Sequence, residues 1–328
     1  MKVFIAGATG VLGYRLAERL SDRGHEVIGL TRDEEGDDLV ERRGGTPRRG
    51  DVLDQESLTD AVSDADVIVH AATSIPTKRK PTADDWSRND RVRVEGARNV
   101  VAAAVDAGVT RVLFPSVVWV ARQPDGSSFN ETAPRHPDQT TQSAADAEDV
   151  LHEASQTHGL DIGILRCGFF YAPDSAQTRQ FAQYLLSRLL PIIGGGVFGR
   201  QDAELSLLHA DDAARAFADA TESDATGCWH VVDEEPVTLA RFLRTFAELL
   251  NAPEPFRVPA WLARPLVGRD TVRMLTRPMP TSNDTFKREI EWEPMYPTYQ
   301  EGLQQVVETW INDGTLRETE NGYEWTSE

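Results

Sequence analysis

The chain has 328 residues, enough to bury a large core as one domain or two closely joined ones. Its 53 acidic and 34 basic residues give a net charge of −19, which disfavours binding to nucleic-acid backbone or to an anionic membrane surface. Two cysteines, Cys167 and Cys228, supply neither a disulfide framework nor metal-ligand spacing, so no metal is expected and a reducing, cytoplasmic setting is.

In chain order, residues 2–6 read as an apolar strand that runs straight into Gly7-Ala8-Thr9-Gly10-Val11-Leu12-Gly13. A helix with Leu12, Leu16 and Leu20 on one face follows. Strand, glycine turn and amphipathic helix form half of a dinucleotide-binding βαβ unit. Gly7 permits the sharp turn, Gly10 permits close approach of backbone N–H groups to a pyrophosphate, and Gly13 permits close helix–strand packing. The helix N-terminus adds unpaired donors and partial positive charge.

Strands are predicted over 26–30 and 46–50, separated by a polar, acidic loop, then a helix over 54–61 and a buried strand over 66–70. A loop at 75–85 precedes a long helix over 86–107. A strand at 111–114, a surface loop at 123–138, a helix at 140–158 and a strand at 162–165 complete the alternation. This pattern predicts an α/β fold with a doubly wound parallel sheet. Beyond Pro173 the rhythm changes. A helix at 178–189, a glycine-rich patch at 194–196, a strand at 205–208, a helix after Asp212, a strand at 229–232 and a helix at 241–250 are expected. Helix near 287–292 and a polar tail from 313 complete the reading. The expected division is a Rossmann-type domain over 1–173, with a strand and helix returning near 205–233, and a smaller mixed α+β substrate lobe over 174–328. No apolar run reaches the length of a membrane span, and a first strand at residue 2 leaves no leader segment to expect.

Cofactor preference is read at the end of the second strand, Leu30-Thr31-Arg32-Asp33. A hydroxyl and a guanidinium at Thr31 and Arg32 suit a ribose 2′-phosphate, which favours NADP; Asp33 serving a free 2′-hydroxyl would favour NAD instead. Only four lysines stand beside thirty arginines, a pattern resembling proteins of salt-accumulating cytosols.

Several ordered blocks resemble the extended, epimerase/dehydratase-like branch of the short-chain dehydrogenase/reductases: the G-x-x-G-x-x-G turn, Gly50-Asp51-Val52-Leu53-Asp54, His70-Ala71-Ala72-Thr73 and Glu95-Gly96-Ala97-Arg98-Asn99. The later ones are Leu165 to Pro173, Leu208-His209-Ala210-Asp211-Asp212 and Glu289 to Pro294. The resemblance implies that Asp51 and Val52 meet adenine, that Ala71, Ala72 and Thr73 pass under the cofactor, and that Gly168 and Phe169 border it. It also implies a small carbonyl, alcohol or sugar-nucleotide substrate and a homodimer through the long helices.

The same resemblance fails at the acid–base pair. Aligned on Gln142-Ser143-Ala144 and Glu148, Thr140 stands where the family has its tyrosine and Ala144 where it has its lysine. Arg93 and Phe169 each replace an asparagine. Ser116 is expected to be the retained serine and Tyr171 a substitute proton donor, while His209 and Asp211 are expected to cap a helix. Trp119, Phe169, Phe170, Tyr171 and Phe198 suggest an apolar cleft. An NAD(P)-dependent oxidoreductase or epimerase/dehydratase-like enzyme is favoured; a non-catalytic NADP(H)-binding sensor or assembly protein is the alternative.

Overall fold

The computed structural model describes residues 1–76, 82–194, 202–268, 272, 276–320 and 322–326. Its centre is a sheet whose inner strands are short, largely apolar and buried on both faces, as helices covering each side require, while the edge strand Thr46–Arg49 is polar and unburied. The first six are β1 (Lys2–Ala6), β2 (Glu26–Thr31), β3 (Thr46–Arg49), β4 (Val67–His70), β5 (Arg111–Val117) and β6 (Asp161–Cys167). Four short strands, β7 (Phe169–Tyr171), β8 (Ile192–Ile193), β9 (Glu204–Leu205) and β10 (Leu207–His209), precede β11 (Gly227–Val231). The order across the sheet is β11-β6-β5-β4-β1-β2-β3, every pairing parallel. Strand order reverses between β1 and β4, where Ala6 pairs with His70, and the ends of these two strands open the crevice that a doubly wound sheet offers to ligands.

Helices cover both faces. One layer buries α1 (Val11–Asp22) and, from the second half of the chain, Ala213, Ala214 and Phe217 against the sheet. The opposite layer buries Leu58, Val92, Val100, Leu151 and Ala154 from three further helices, α3 (Gln55–Val62), α4 (Ala83–Ala107) and α5 (Gln142–His158). The segment read as an acidic loop after β2 is instead a helix, α2 (Glu34–Arg42). Asp33 accepts a hydrogen bond from Gly36 N at its start, and Glu34, Glu35 and Asp37 complement the partial positive charge of its first turn. Its single buried aliphatic residue, Val40, is too weak a periodic signal to read from sequence.

Other boundaries moved by a few residues. Thr82 and Asp85 form a reciprocal capping box that starts α4 three residues early. The strand expected at 205–208 divides into β9 and β10, which pair with different partners. Between β7 and β8 lies α6 (Ala176–Leu186), and beyond β10 come α7 (Ala210–Glu222), α8 (Leu239–Leu249) and α9 (Ala260–Val267). The helix expected near 287–292 spans Asp284–Ile290, and another, Tyr299–Asn312, was not anticipated. The expected polar tail is a hairpin of Leu316–Thr319 with Gly322–Trp325. Trp325 sits edge-on to Trp310 at 5.0 Å, and Trp310 stacks on Phe246, so three rings tie the C-terminal segment into a second core. In the glycine-rich patch only Gly194 is described; Gly195, Gly196 and Phe198 lie outside the described residues.

Candidate functional site: a glycine cradle beside an apolar wall

The three glycines of the first turn are required for different reasons. Gly7 has φ +90°, and a Cβ there would lie 2.5 Å from Ala72 N, so the turn off β1 packs directly on the chain leaving β4. A Cβ on Gly13 would lie 2.0 Å from Gly7 O, inside the turn. Gly10 differs: its φ is −80°, and a Cβ would meet only Gly7 O at 3.4 Å. Protein packing therefore explains Gly7 and Gly13 but not Gly10, whose missing side chain leaves an open approach.

Gly10 caps α1 without a side-chain hydrogen bond, and no acidic residue lies in the first turn. The first intrahelical bond runs from Tyr14 N to Gly10 O, so the N–H groups of Val11, Leu12 and Gly13 precede it. By contrast, α2 and α3 carry aspartate caps and acidic first turns. A helix start free of anions and of side-chain caps, beneath a glycine with room above it, fits a pyrophosphate.

Around the cradle, Thr9 approaches α2, where its methyl would lie 3.2 Å from a Cβ on Gly36. Val52 is buried and its carbonyl accepts from Asn99 Nδ2 at 3.0 Å; Asp51 accepts from Leu53 N through Oδ1. Ala71 N donates to Ala6 O, placing Ala71, Ala72 and the exposed Thr73 beside the glycine turn. The Thr31 hydroxyl is engaged internally, donating to Asp37 Oδ1 at 2.5 Å. Arg32 is exposed and has no charged partner among the described residues, whereas Asp33 is held as the α2 cap. Gly168 answers to packing rather than to a ligand, since a Cβ would lie 2.7 Å from the carbonyls of Ser206 and Leu207. Phe169, with its N–H on Ser206 O, packs into the second core with Trp119, and Phe170 packs on the first.

The three candidates for proton chemistry are each occupied elsewhere. Thr140 donates its hydroxyl to Asp138 Oδ1 at 2.6 Å in the turn before α5, two residues short of the helix it was expected to begin. Tyr171 is 1 % exposed, donates to Asp233 Oδ2 at 3.2 Å, and lies under the last helix, where a Cβ on Gly302 would meet its hydroxyl. Burial, reinforced by the Asp233 charge, raises its pKa well above that of an ordinary tyrosine. Ser116 is 2 % exposed and donates to Glu148 Oε1 at 2.5 Å. Val117, the last residue of β5, packs with Val120 and with Ala144 and Ala145 of α5, the helix that also carries Glu148. Of the two positions where the resemblance expects the acid–base pair, Ala144 lies in this small apolar wall and Thr140 in the turn before α5.

The H-x-D-D block caps a helix, as expected: His209 Nδ1 accepts from Asp211 N at 3.2 Å at the start of α7. Asp211 and Asp174 also grip Arg15 from α1. Asp212 accepts from Met295 N and Tyr296 N, clamping the Glu289-to-Pro294 block, and burial pushes its pKa up to about 6. Both cysteines are free; burial raises both thiols, Cys228 to about 12, so neither is a ready nucleophile.

His70, which ends β4 beneath the cradle, is fully buried, and desolvation lowers its pKa to about 4. The unfolded chain takes up a proton near pH 6.5 that the folded protein refuses, so this residue withdraws stability as pH falls from 6.5 towards 4, by about 1.4 kcal/mol per pH unit. A His70→Leu variant is expected to lose that contribution. Its urea-unfolding free energy should fall less steeply than the parent's between pH 6.5 and pH 5; equal slopes would contradict the reading.

Strand order, switch-point crevice and glycine cradle define an α/β protein of the extended short-chain dehydrogenase/reductase type. The chain belongs to the NAD dependent epimerase/dehydratase family, whose model matches residues 3–230. Among its relatives is a Streptomyces 3-diazoavenalumate denitrifying reductase, 34% identical over 92% of this chain and 99% of that protein. A Stigmatella aurantiaca protein, 4-hydroxy-2-methyl-3-oxo-4-farnesyl-3,4-dihydroquinoline-1-oxide ketoreductase, is 27% identical over 92% of this chain and 95% of its own. In fold, the chain is similar to the Thermus thermophilus UDP-glucose 4-epimerase in complex with NAD, with TM-score 0.77 at 24% identity, covering 95% of this chain and 99% of that one. No described helix is long and apolar enough to cross a membrane.

Proposed function

We propose that this chain is an NADP(H)-dependent reductase that acts on an acceptor requiring no proton from a tyrosine. The observation that carries the reading is the pairing of an open phosphate cradle at Gly10 with the apolar wall of Val117, Val120, Ala144 and Ala145. Val11, Leu12 and Gly13 N–H groups would hold the pyrophosphate, and Arg32 would hold the 2′-phosphate, Asp33 being engaged as a helix cap. Bound NADPH would supply hydride.

The wall's side chains offer no acid. A ketone would gain hydride and then need a proton, whereas an arenediazonium ion already carries the positive charge that hydride cancels. Hydride addition to its terminal nitrogen forms an N–H bond and gives a neutral aryl diazene. Cleavage of the C–N bond then releases dinitrogen while the hydrogen passes to the ring carbon, so no external proton is consumed. The Streptomyces relative, whose name gives a diazo compound and a denitrifying reductase, supports this substrate class.

Purified protein in high salt should therefore oxidise NADPH with a stabilised arenediazonium salt, above an enzyme-free control, and should leave a ketone and sugar-nucleotide panel unreduced. Arg32→Ala should weaken NADPH binding by about 10- to 100-fold, one or two lost charge-assisted hydrogen bonds, with NADH unchanged. Ready ketone reduction would overturn the acceptor class. Tight NADPH binding without turnover of any acceptor would favour the sensor reading, and equal NADPH and NADH binding would overturn the role of Arg32.

A further inference from the structure

Beside the apolar wall the structure buries a cation that forms no ion pair among the described residues, Asp90 acting on it only at longer range. Arg93 of α4 is 9 % exposed, and among the described residues its one hydrogen bond is a long one, from Nη1 to Ser143 Oγ at 3.4 Å. It has no carboxylate partner among the described residues. A guanidinium cannot shed its charge to relieve this burial. One turn earlier, Asn89 is 0 % exposed. Its Oδ1 accepts from Ser74 N at 3.0 Å, which fixes the amide so that Nδ2 is a donor, and that Nδ2 has no partner among the described residues. Positions 89 and 93 are i and i+4 on one helix, so both side chains lie on the same face. Ser74 continues the chain beside the glycine turn, and Ser143 adjoins Ala144 of the wall.

Two buried donor groups with spare N–H bonds, one of them permanently charged, ask for a ligand that only accepts. The planar fork of a guanidinium matches a planar carboxylate best. We propose that Arg93 and Asn89 form a carboxylate subsite that anchors the acid group of the substrate next to the cradle. The inference rests on the reductase reading for its substrate, but it is tested by binding alone.

The probes are cinnamate and its uncharged counterpart cinnamamide, titrated calorimetrically into the full chain with and without NADPH. Cinnamate should bind, and the amide should bind about 10- to 100-fold more weakly, the loss of one or two charge-assisted bonds. Arg93→Met should weaken cinnamate by a similar factor, leave the amide unchanged, and melt no lower than the parent, since it removes an unpaired buried charge. Asn89→Asp keeps the acceptor for Ser74 N but supplies Arg93 with its own carboxylate; it should fold, bind NADPH as the parent does, and be blind to cinnamate.

Four results would overturn the proposal. They are no cinnamate binding to the parent, equal binding of acid and amide, unchanged cinnamate binding in Asn89→Asp, and loss of NADPH rather than cinnamate affinity in Arg93→Met. Intact cinnamate binding in a protein that reduces no diazonium salt would uphold the subsite and overturn the reductase reading instead.

Discussion

Gly13→Ala is expected to destabilise the fold by at least about 3 kcal/mol, whereas Gly10→Ala is expected to fold like the parent and bind NADPH about 100-fold more weakly. The contrast follows from what each new methyl group meets. At Gly13 it would lie 2.0 Å from Gly7 O and 2.8 Å from Ala8 Cα, backbone atoms pinned between β1 and the chain leaving β4, so the turn itself must open. At Gly10 it would touch Gly7 O at an ordinary 3.4 Å, in a backbone conformation alanine accepts freely. What it would obstruct is the approach of a phosphate to the first N–H groups of α1. Urea denaturation and NADPH titration of both variants measure the two effects separately. A Gly10→Ala protein that bound NADPH normally would remove the cradle from the argument.

Replacing Glu148 by leucine is expected to cost about 3–5 kcal/mol, the penalty for stranding a buried charge. Glu148 is 0 % exposed and accepts two hydrogen bonds from Arg166, at 2.9 and 2.7 Å, with further bonds from Ser116 and, at 3.3 Å, Arg135. Removing the carboxylate leaves the Arg166 guanidinium, itself 4 % exposed, without its counter-ion. The double variant Glu148→Leu/Arg166→Met should recover much of the loss, because two apolar side chains of similar volume replace the pair. Denaturation midpoints across this cycle test the claim; a single variant as stable as the parent would sink it. The same network reassigns Ser116. If its hydroxyl serves Glu148, Ser116→Ala should lower stability by about 1 kcal/mol and leave NADPH oxidation untouched.

The sheet and the cradle were legible in the sequence because both depend on local patterns. Buried parallel strands such as those around residues 3–6 and 67–69 are continuous apolar runs, and a glycine turn between strand and helix needs no distant partner to be recognised. Helix α2 was missed because its stability comes from an aspartate cap and the first-turn charges rather than from an apolar stripe. The C-terminal hairpin was missed because Trp325 finds its partner, Trp310, on a helix the sequence pattern had not revealed.

The residue types, aligned on the resemblance, gave the expectation that Thr140 and Ala144 stand where an acid–base pair would be and Arg93 where an asparagine would be. Only the tertiary structure decided what occupies the gap. Packing of α5 against the end of β5 brings Ser116 to Glu148 and Val117 to Ala144 and Ala145, contacts between distant segments that the sequence does not display. The isolation of Arg93 likewise exists only once α4 and α5 are packed together. A charge is unpaired, and a methyl group obstructive, by virtue of neighbours far away in the chain, and those neighbours are set by the fold.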